Sequence, residues 1–227
     1  MAQRFFTNRM GGVSKAPFDT FNLALHVGDD PVAVRKNRDR LAALLGIESK
    51  ALFFMNQVHG RDVSVIDELS DSMVAPSVDA LFTRVPGLAL VTLIADCVPV
   101  LLISSQAVAA VHIGRKGLVA NVLDAALAHF SNSGISFDDI EAELGPSICG
   151  KCYEVDIDSY LEVITSHPAA ATTEELRCVD VAAGIRAQLN KYGIQYKQSP
   201  ICVMHEPGYF SYRRDGVTGR QAGVVIL

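Results

Sequence analysis

The sequence predicts an α+β fold in which short apolar strands and amphipathic helices share one domain spanning residues 1–227. Short runs of β-branched and apolar residues recur along the chain, and longer segments between them carry helix start and stop signals. No repeat, low-complexity tract or linker rich in Pro or Ser divides the sequence, so we place no domain boundary.

The first helix has the clearest signals. Asp30 is a suitable N-cap, Pro31 suits the first helical position, and Gly46 follows the last apolar residues of the segment. The other helices are predicted at about Leu118 to Phe130, Asp156 to Ser166 and Asp180 to Tyr192.

The predicted strands lie mostly between these helices. They are Phe53 to Met55, Val63 to Ile66, Ala80 to Thr83, Leu88 to Ile94, Val98 to Ile103, Val108 to His112, Glu141 to Leu144, Ile201 to Val203 and Val224 to Leu227. Several are apolar throughout, which indicates strands covered on both faces. Periodicity leaves open whether they form a two-sheet sandwich or an open doubly wound sheet.

Composition excludes several classes of protein. The longest apolar stretch, 88–104, contains Asp96 and Pro99, which disfavours a membrane span. The first residues lack the pattern of a secretory signal, so we expect a cytoplasmic protein. In that compartment the five cysteines need not form disulfides. The net charge of −5 disfavours nucleic acid and anionic membranes as partners.

Three metal-ligand residues stand where apolar runs end. His59, Cys97 and His112 can offer two imidazoles and one thiolate to one ion, although their spacing matches no local zinc motif. Zinc suits this donor set, and copper also binds such ligands tightly in vitro. Three protein ligands leave a coordination position open, which is typical of catalytic zinc. The alternatives are core histidines with an inert thiol, and a metal-free hydrolase that uses Cys97 and His112.

The segments around these residues carry a resemblance. They are Arg4 to Thr7, Gly11 to Ser14, Asn56 to Gly60, Ala95 to Leu102, Gly145 to Ile148, Cys152 to Val155 and Phe210 to Arg220. Together they resemble the YfiH/PgeF family, the peptidoglycan editing factor or laccase-domain family, from Arg4 to the C-terminus. The resemblance implies a two-sheet sandwich flanked by helices, with His59, Cys97 and His112 as ligands of a catalytic zinc.

The resemblance also implies an activity. It indicates phosphorolysis of adenosine, inosine and methylthioadenosine to the free base and ribose 1-phosphate, with adenosine deamination as a side activity. The partners would be purine nucleosides and phosphate. Two alternatives stay open, a copper-dependent polyphenol oxidase and a non-catalytic peptidoglycan quality-control factor that acts through a partner.

Cationic residues near turns are candidates for binding phosphate. Lys116 precedes a predicted helix, and the resemblance aligns it with an arginine of the family. Arg213 and Arg214 form a cationic cluster near glycines, and Arg9 near Gly11 and Gly12 is a further candidate. We expect Lys116 and Arg214 to position phosphate and neutralise its charge, with Arg9 and Arg213 binding substrate. Solvated turns would explain the same residues.

Polar residues beside the candidate ligands have further possible roles. Asp96 next to Cys97 is expected to orient a ligand or carry a proton, although its side chain would face away from Cys97 unless the chain bends there. Asn56 and Gln57 are expected to hydrogen-bond the base or the ribose. A polar pair in a turn is the simpler alternative.

Two features depart from known patterns. The family usually reads His-Ala-Gly-Trp-Arg-Gly where this chain has His112 to Gly117, with Arg115 in place of the aromatic residue, and the sequence contains no Trp. Cys149 and Cys152 superficially match the zinc deaminase signature, but Pro146 is not adjacent to Cys149. A redox or second-zinc role for this cysteine pair stays open as an alternative.

Overall fold

The computed structural model describes residues 2–67, 76–172 and 177–227. It contains a four-stranded and a six-stranded sheet with helices packed on both outer sides. Within the described residues, no helix is long and apolar enough to cross a bilayer.

The strands are β1 (Gln3–Phe6), β2 (Leu52–Phe54), β3 (Val63–Val65), β4 (Ala80–Thr83), β5 (Ala89–Ile94), β6 (Val98–Ile103), β7 (Val108–Ile113), β8 (Glu141–Leu144), β9 (Gln195–Gln198) and β10 (Gln221–Ile226). The smaller sheet has the order β1-β10-β5-β2, and the larger has the order β3-β4-β7-β6-β8-β9. Neighbours are antiparallel except for the pairs β2–β5, β3–β4 and β8–β9. The chain passes from one sheet to the other between β5 and β6.

The helices are α1 (Pro31–Leu45), α2 (Arg115–Val119), α3 (Val122–Asn132), α4 (Ile157–Ser166), α5 (Val181–Lys191) and α6 (Tyr212–Asp215). Helix α1 covers the smaller sheet, and α2, α3 and α5 cover the larger one. As expected, the carboxylate of Asp30 caps α1 by accepting from the Val32 N–H, and Gly46 ends the helix in the left-handed conformation.

The apolar strands are buried on both faces, as their composition indicates. Leu90 and Leu101 point into the core between the two sheets. Their neighbours along the strands, such as Val91 and Val100, point away from it and pack under the helices. Alternation along each strand therefore fills separate core layers, which explains why these strands carry almost no polar residues.

The structure corrects two predicted elements. The segment 118–130 forms two helices because Asn121 adopts a left-handed conformation (φ 59°), which asparagine tolerates better than most residues. No strand forms at 201–203, where Cys202 makes only an isolated bridge to Ser147. Strand β9 was missed because it is mostly exposed and polar, and β1 was missed as well.

The two-sheet core gives a stability prediction. Leu101 is fully buried between the sheets, so Leu101→Ala should lower the free energy of unfolding by about 2–5 kcal/mol. Leu44→Ala is the control, since Leu44 is 62% exposed and its replacement should change stability by about 0.5 kcal/mol or less. Urea denaturation measures both. Equal losses would contradict the placement of Leu101 in the core.

Candidate active site

His59, Cys97 and His112 converge at the point where the chain crosses between the sheets. His59 lies in the loop after β2, Cys97 begins the crossing into β6, and His112 is the penultimate residue of β7. Their ligand atoms all lie within 4.8 Å of one another, and the Cys97 Sγ is 3.9 Å from the His59 Nε2. The two imidazole rings meet edge to face with centroids 4.8 Å apart.

Asp79 holds two of these residues in place. Its buried carboxylate accepts a hydrogen bond of 2.8 Å from the His112 Nδ1. The same group accepts from the N–H groups of His59 and Gly60, at 2.9 and 2.6 Å. Because an ionised carboxylate only accepts, His112 carries a proton on Nδ1, and its Nε2 faces the cluster.

The cluster favours charged forms of its members. Burial opposes ionisation of the Cys97 thiol, but the neighbouring His112 and His59 lower its pKa to about 6. Burial also opposes a charge on His112, but the Cys97 thiolate and the Asp79 carboxylate raise its pKa to about 9. A thiolate therefore forms near neutral pH, as both a metal site and the metal-free hydrolase alternative require.

The backbone beside the cluster is shaped to leave room for it. A Cβ added to Gly114 would lie 2.9 Å from the Cys97 Sγ and 3.2 Å from the His59 Cδ2. Only glycine allows the backbone between β7 and α2 to pass this close. The donor set of two imidazoles and one thiolate fits a zinc ion with three protein ligands, and the hydrogen bond to Asp79 orients one of the imidazoles, as is usual at zinc sites.

A cavity of about 440 Å³ opens over the cluster. Its wall is formed by residues from both sheets and from the C-terminal segment. They are His26, Gln57, His59, Leu93, Ala95, Asp96, Cys97, His112, Ile148, Tyr153, Val181, Tyr212, Arg213 and Arg220. The volume lies within the range of small-molecule sites.

The chain bends at Asp96, and the bend determines where the Asp96 side chain points. Its φ of 100° breaks the strand alternation, so that both Asp96 and Cys97 line the cavity. The Asp96 carboxylate accepts from the Ser211 Oγ at 2.6 Å and from the Arg213 N–H at 2.7 Å. It therefore fixes the start of α6 against the metal-ligand loop.

Two arginine–tyrosine pairs form the polar part of the wall. The Arg213 guanidinium lies 5.2 Å from the centre of the Tyr153 ring, and that of Arg220 lies 5.9 Å from the centre of the Tyr212 ring. His26 faces the same space, and its pKa is lowered by burial and then by Arg220. Cationic and aromatic surfaces are thus placed side by side.

Four residues predicted to act on substrate do not line this cavity. Arg214 is engaged elsewhere, because its guanidinium donates to the carbonyls of Val203 and Tyr209 and pairs with Asp215. Arg9 pairs with Asp19 and lies over the Phe210 ring.

Lys116 and Asn56 are exposed outside the cavity. Arg115, which replaces the family's aromatic residue, binds Glu162 at 2.8 Å in a neighbouring groove. Gln57 does line the cavity, but its side-chain amide exchanges two hydrogen bonds with the backbone of Leu93. Of the predicted substrate residues, Arg213 is the one with a cation on the cavity wall.

Four polar or aromatic residues of the wall were not among the predicted site residues, namely His26, Tyr153, Tyr212 and Arg220. Three of them lie inside the segments 152–155 and 210–220, so membership of these motifs was the available signal. His26 carried none, because a lone histidine near a turn is common on protein surfaces.

A sequence model of the family described as multi-copper polyphenol oxidoreductase laccase matches residues 3–227. The chain belongs to this family, the laccase-like YfiH family. A protein of Streptomyces coelicolor named purine nucleoside phosphorylase is 46% identical, covering 98% of this chain and 94% of that protein. One of Corynebacterium glutamicum with the same name is 42% identical, covering 99% and 94%.

Solved structures of the YfiH family share the fold. The crystal structure of a Bacillus licheniformis hypothetical protein, YfiH, superposes with a TM-score of 0.92 at 28% identity, covering 100% of this chain and 92% of that one. The recognition of the family and the predicted mixed fold with two sheets are thus confirmed.

The buried carboxylate gives a prediction for this YfiH-family site. Asp79→Asn should weaken metal binding about 10- to 100-fold, because a neutral amide orients His112 less firmly and holds the loop 58–60 less well. Competition titration with zinc measures the affinity. Asp138→Asn is the matched control on the exposed surface, and equal affinities in the two variants would contradict a positioning role for Asp79.

Proposed function

We propose that this protein is a zinc-dependent phosphorylase of purine nucleosides, with deamination of adenosine as a side activity. The observation that carries the proposal is the His59, Cys97 and His112 cluster at the base of a cavity walled by arginines and tyrosines. The relatives named purine nucleoside phosphorylase, which align along nearly the whole chain, support the same reaction class.

His59, Cys97 and His112 would hold the zinc. A zinc ion with three protein ligands supplies a Lewis acid at its open position. The chain itself prepares this site, since Asp79 directs the His112 Nε2 inward and Gly114 leaves space beside Cys97. The thiolate of Cys97 is available near neutral pH because its pKa is lowered by the histidines.

Arg213 and Arg220 are suited to hold phosphate. In phosphorolysis, a phosphate oxygen forms a bond to C1′ of the ribose while the bond from C1′ to the purine nitrogen breaks. The electron pair stays on the purine, which takes up a proton. Two guanidinium groups can place the phosphate and stabilise its charge, since each keeps N–H donors beyond those given to nearby carbonyls.

The tyrosines and apolar residues are suited to the nucleoside. Tyr153 and Tyr212 offer ring faces, so they can supply aromatic contacts that the missing Trp would otherwise give. Ile148 and Val181 add apolar surface to the same cavity. His26, whose pKa is lowered by burial, can exchange hydrogen bonds with the ribose or the base as a neutral imidazole.

The alternatives make different demands. A polyphenol oxidase that reduces oxygen to water needs several coppers, and among the described residues the cavity gathers one set of three donors. A peptidoglycan quality-control factor would need a partner surface and no reacting group. Deamination at the purine C6 would use the same cavity but would give Arg213 no role in the reaction.

The metal assignment predicts a selective loss. Cys97→Ser should remove about one zinc per chain, because the thiolate is the only anionic ligand of the cluster. Elemental analysis after purification without chelators measures the content. Cys178→Ser is the matched control, since Cys178 is a buried cysteine that lies outside the cluster. Full zinc retention in Cys97→Ser would refute the site.

The reaction predicts dependence on phosphate. Adenosine should yield adenine and ribose 1-phosphate only when phosphate is present, and Arg213→Ala should raise the apparent phosphate constant more than the nucleoside constant. Lys116→Ala should change neither, because Lys116 lies outside the cavity. Chromatography of the products with initial-rate kinetics measures these effects.

Other results of these assays would support a different function. Ammonia and inosine formed regardless of phosphate would mark a deaminase, and copper-dependent oxygen consumption with a phenol would mark an oxidase. A zinc-loaded, folded protein that forms none of these products would leave the partner-dependent role. A raised phosphate constant in Lys116→Ala would instead place phosphate at the start of α2.

A further inference from the structure

A second cluster of metal-ligand residues lies apart from the first. The Sγ atoms of Cys149, Cys152 and Cys202 lie within 4.8 Å of one another, with 3.5 Å between Cys149 and Cys152. The Nε2 of His205 is 3.0 Å from the Cys152 Sγ. None of these four residues lines the cavity over Cys97.

The four residues form two matching turns. Cys149 and Cys152 are separated by two residues, and so are Cys202 and His205. In each turn the N–H of the last residue donates to the carbonyl of the first, Cys152 to Cys149 at 3.0 Å and His205 to Cys202 at 3.1 Å. Such turns bring both side chains of a pair to one side, as in structural zinc sites with two-residue spacing.

A backbone hydrogen bond also joins the two turns. The N–H of Cys149 points at the Cys202 Sγ at 3.3 Å, so the first turn donates a hydrogen bond to a sulfur of the second. Hydrogen bonds of this kind stabilise ligand sulfur in its charged form. The two turns therefore already face each other, and the three sulfurs share one small volume.

The distances agree with a tetrahedral ion. Zinc binds sulfur at about 2.3 Å, which places two sulfurs of a tetrahedron about 3.8 Å apart. The 3.5 Å between the sulfurs of Cys149 and Cys152 is close to this value and far above the roughly 2.05 Å of a disulfide. The Nε2 of the exposed His205 contacts the Cys152 Sγ at 3.0 Å, and a rotation of its ring would make it the fourth ligand.

We propose that Cys149, Cys152, Cys202 and His205 bind a second zinc ion, with a structural role. Three thiolates and one imidazole fill a tetrahedral shell and leave no open position, which is typical of structural zinc. Soft thiolates exclude calcium and magnesium. The site does not depend on the proposed catalytic activity, because its ligands are separate from those of the first cluster.

The second zinc would join two segments that meet the active-site wall. Cys152 directly precedes Tyr153, and the turn from Cys202 leads to α6 with Tyr212 and Arg213. Arg214 reinforces the second segment by donating to the carbonyls of Val203 and Glu206. The ion would therefore fix the distance between the two arginine–tyrosine pairs.

Metal content tests the proposal directly. The protein, purified under reducing conditions, loaded with zinc and desalted, should hold about two zinc ions per chain. Cys202→Ser and His205→Ala should each hold about one. Cys97→Ser should also hold about one, whereas Cys178→Ser should keep both.

Cobalt separates the two sites by spectrum. In Cys97→Ser, bound Co²⁺ should show the strong thiolate charge-transfer absorption of a three-sulfur site. In Cys202→Ser it should show the weaker band of a single thiolate. This comparison keeps the test informative when one cysteine variant folds poorly, because Cys97→Ser leaves the second cluster intact.

Three outcomes would overturn the proposal. One is a wild-type protein with a single zinc that Cys97→Ser removes completely. Another is a Cys149–Cys152 disulfide in the freshly isolated protein, detected by mass after alkylation without reduction. The third is a Cys97→Ser variant without the three-thiolate spectrum. Loss of nucleoside activity with both zinc ions retained would contradict only the proposed function.

Discussion

The hydrogen bonds to the Asp79 carboxylate are the interaction on which the candidate site most depends. Burial alone would raise the pKa of Asp79, but hydrogen bonds from His112, Gly60 and His59 hold it low. These hydrogen bonds keep the carboxylate charged inside the fold, and two of the donors, His59 and His112, belong to the cluster. One anion therefore sets both the tautomer of His112 and the path of the loop that carries His59.

The outer part of the cavity depends on a second carboxylate. Asp96 connects the crossing between the sheets to α6 through Ser211 and the Arg213 backbone. Residues 115 positions apart in the chain thereby become neighbours. The sheets position the inner wall of the cavity. The contact of Asp96 with α6 positions the outer wall.

The sequence predicted the parts of the protein that local patterns specify. Doubly buried strands and the capped helix α1 have such patterns, and motif resemblance indicated His59, Cys97 and His112. The partners of Arg214 carry no local signal, because they are backbone carbonyls of a distant loop. For the same reason, the pairing of Cys149 and Cys152 with Cys202 and His205 was visible only once the fold joined the two turns.

The donors of the first cluster come from both sheets, since His59 follows β2 in the smaller sheet and His112 belongs to β7 in the larger. An ion bound there would act as a cross-link, and pulling the sheets apart would require its release. Binding to the folded form alone adds about 4 kcal/mol to the unfolding free energy when the free ion is at 1,000 times its dissociation constant. Resistance to heat and proteases would then follow the supply of metal in the cell.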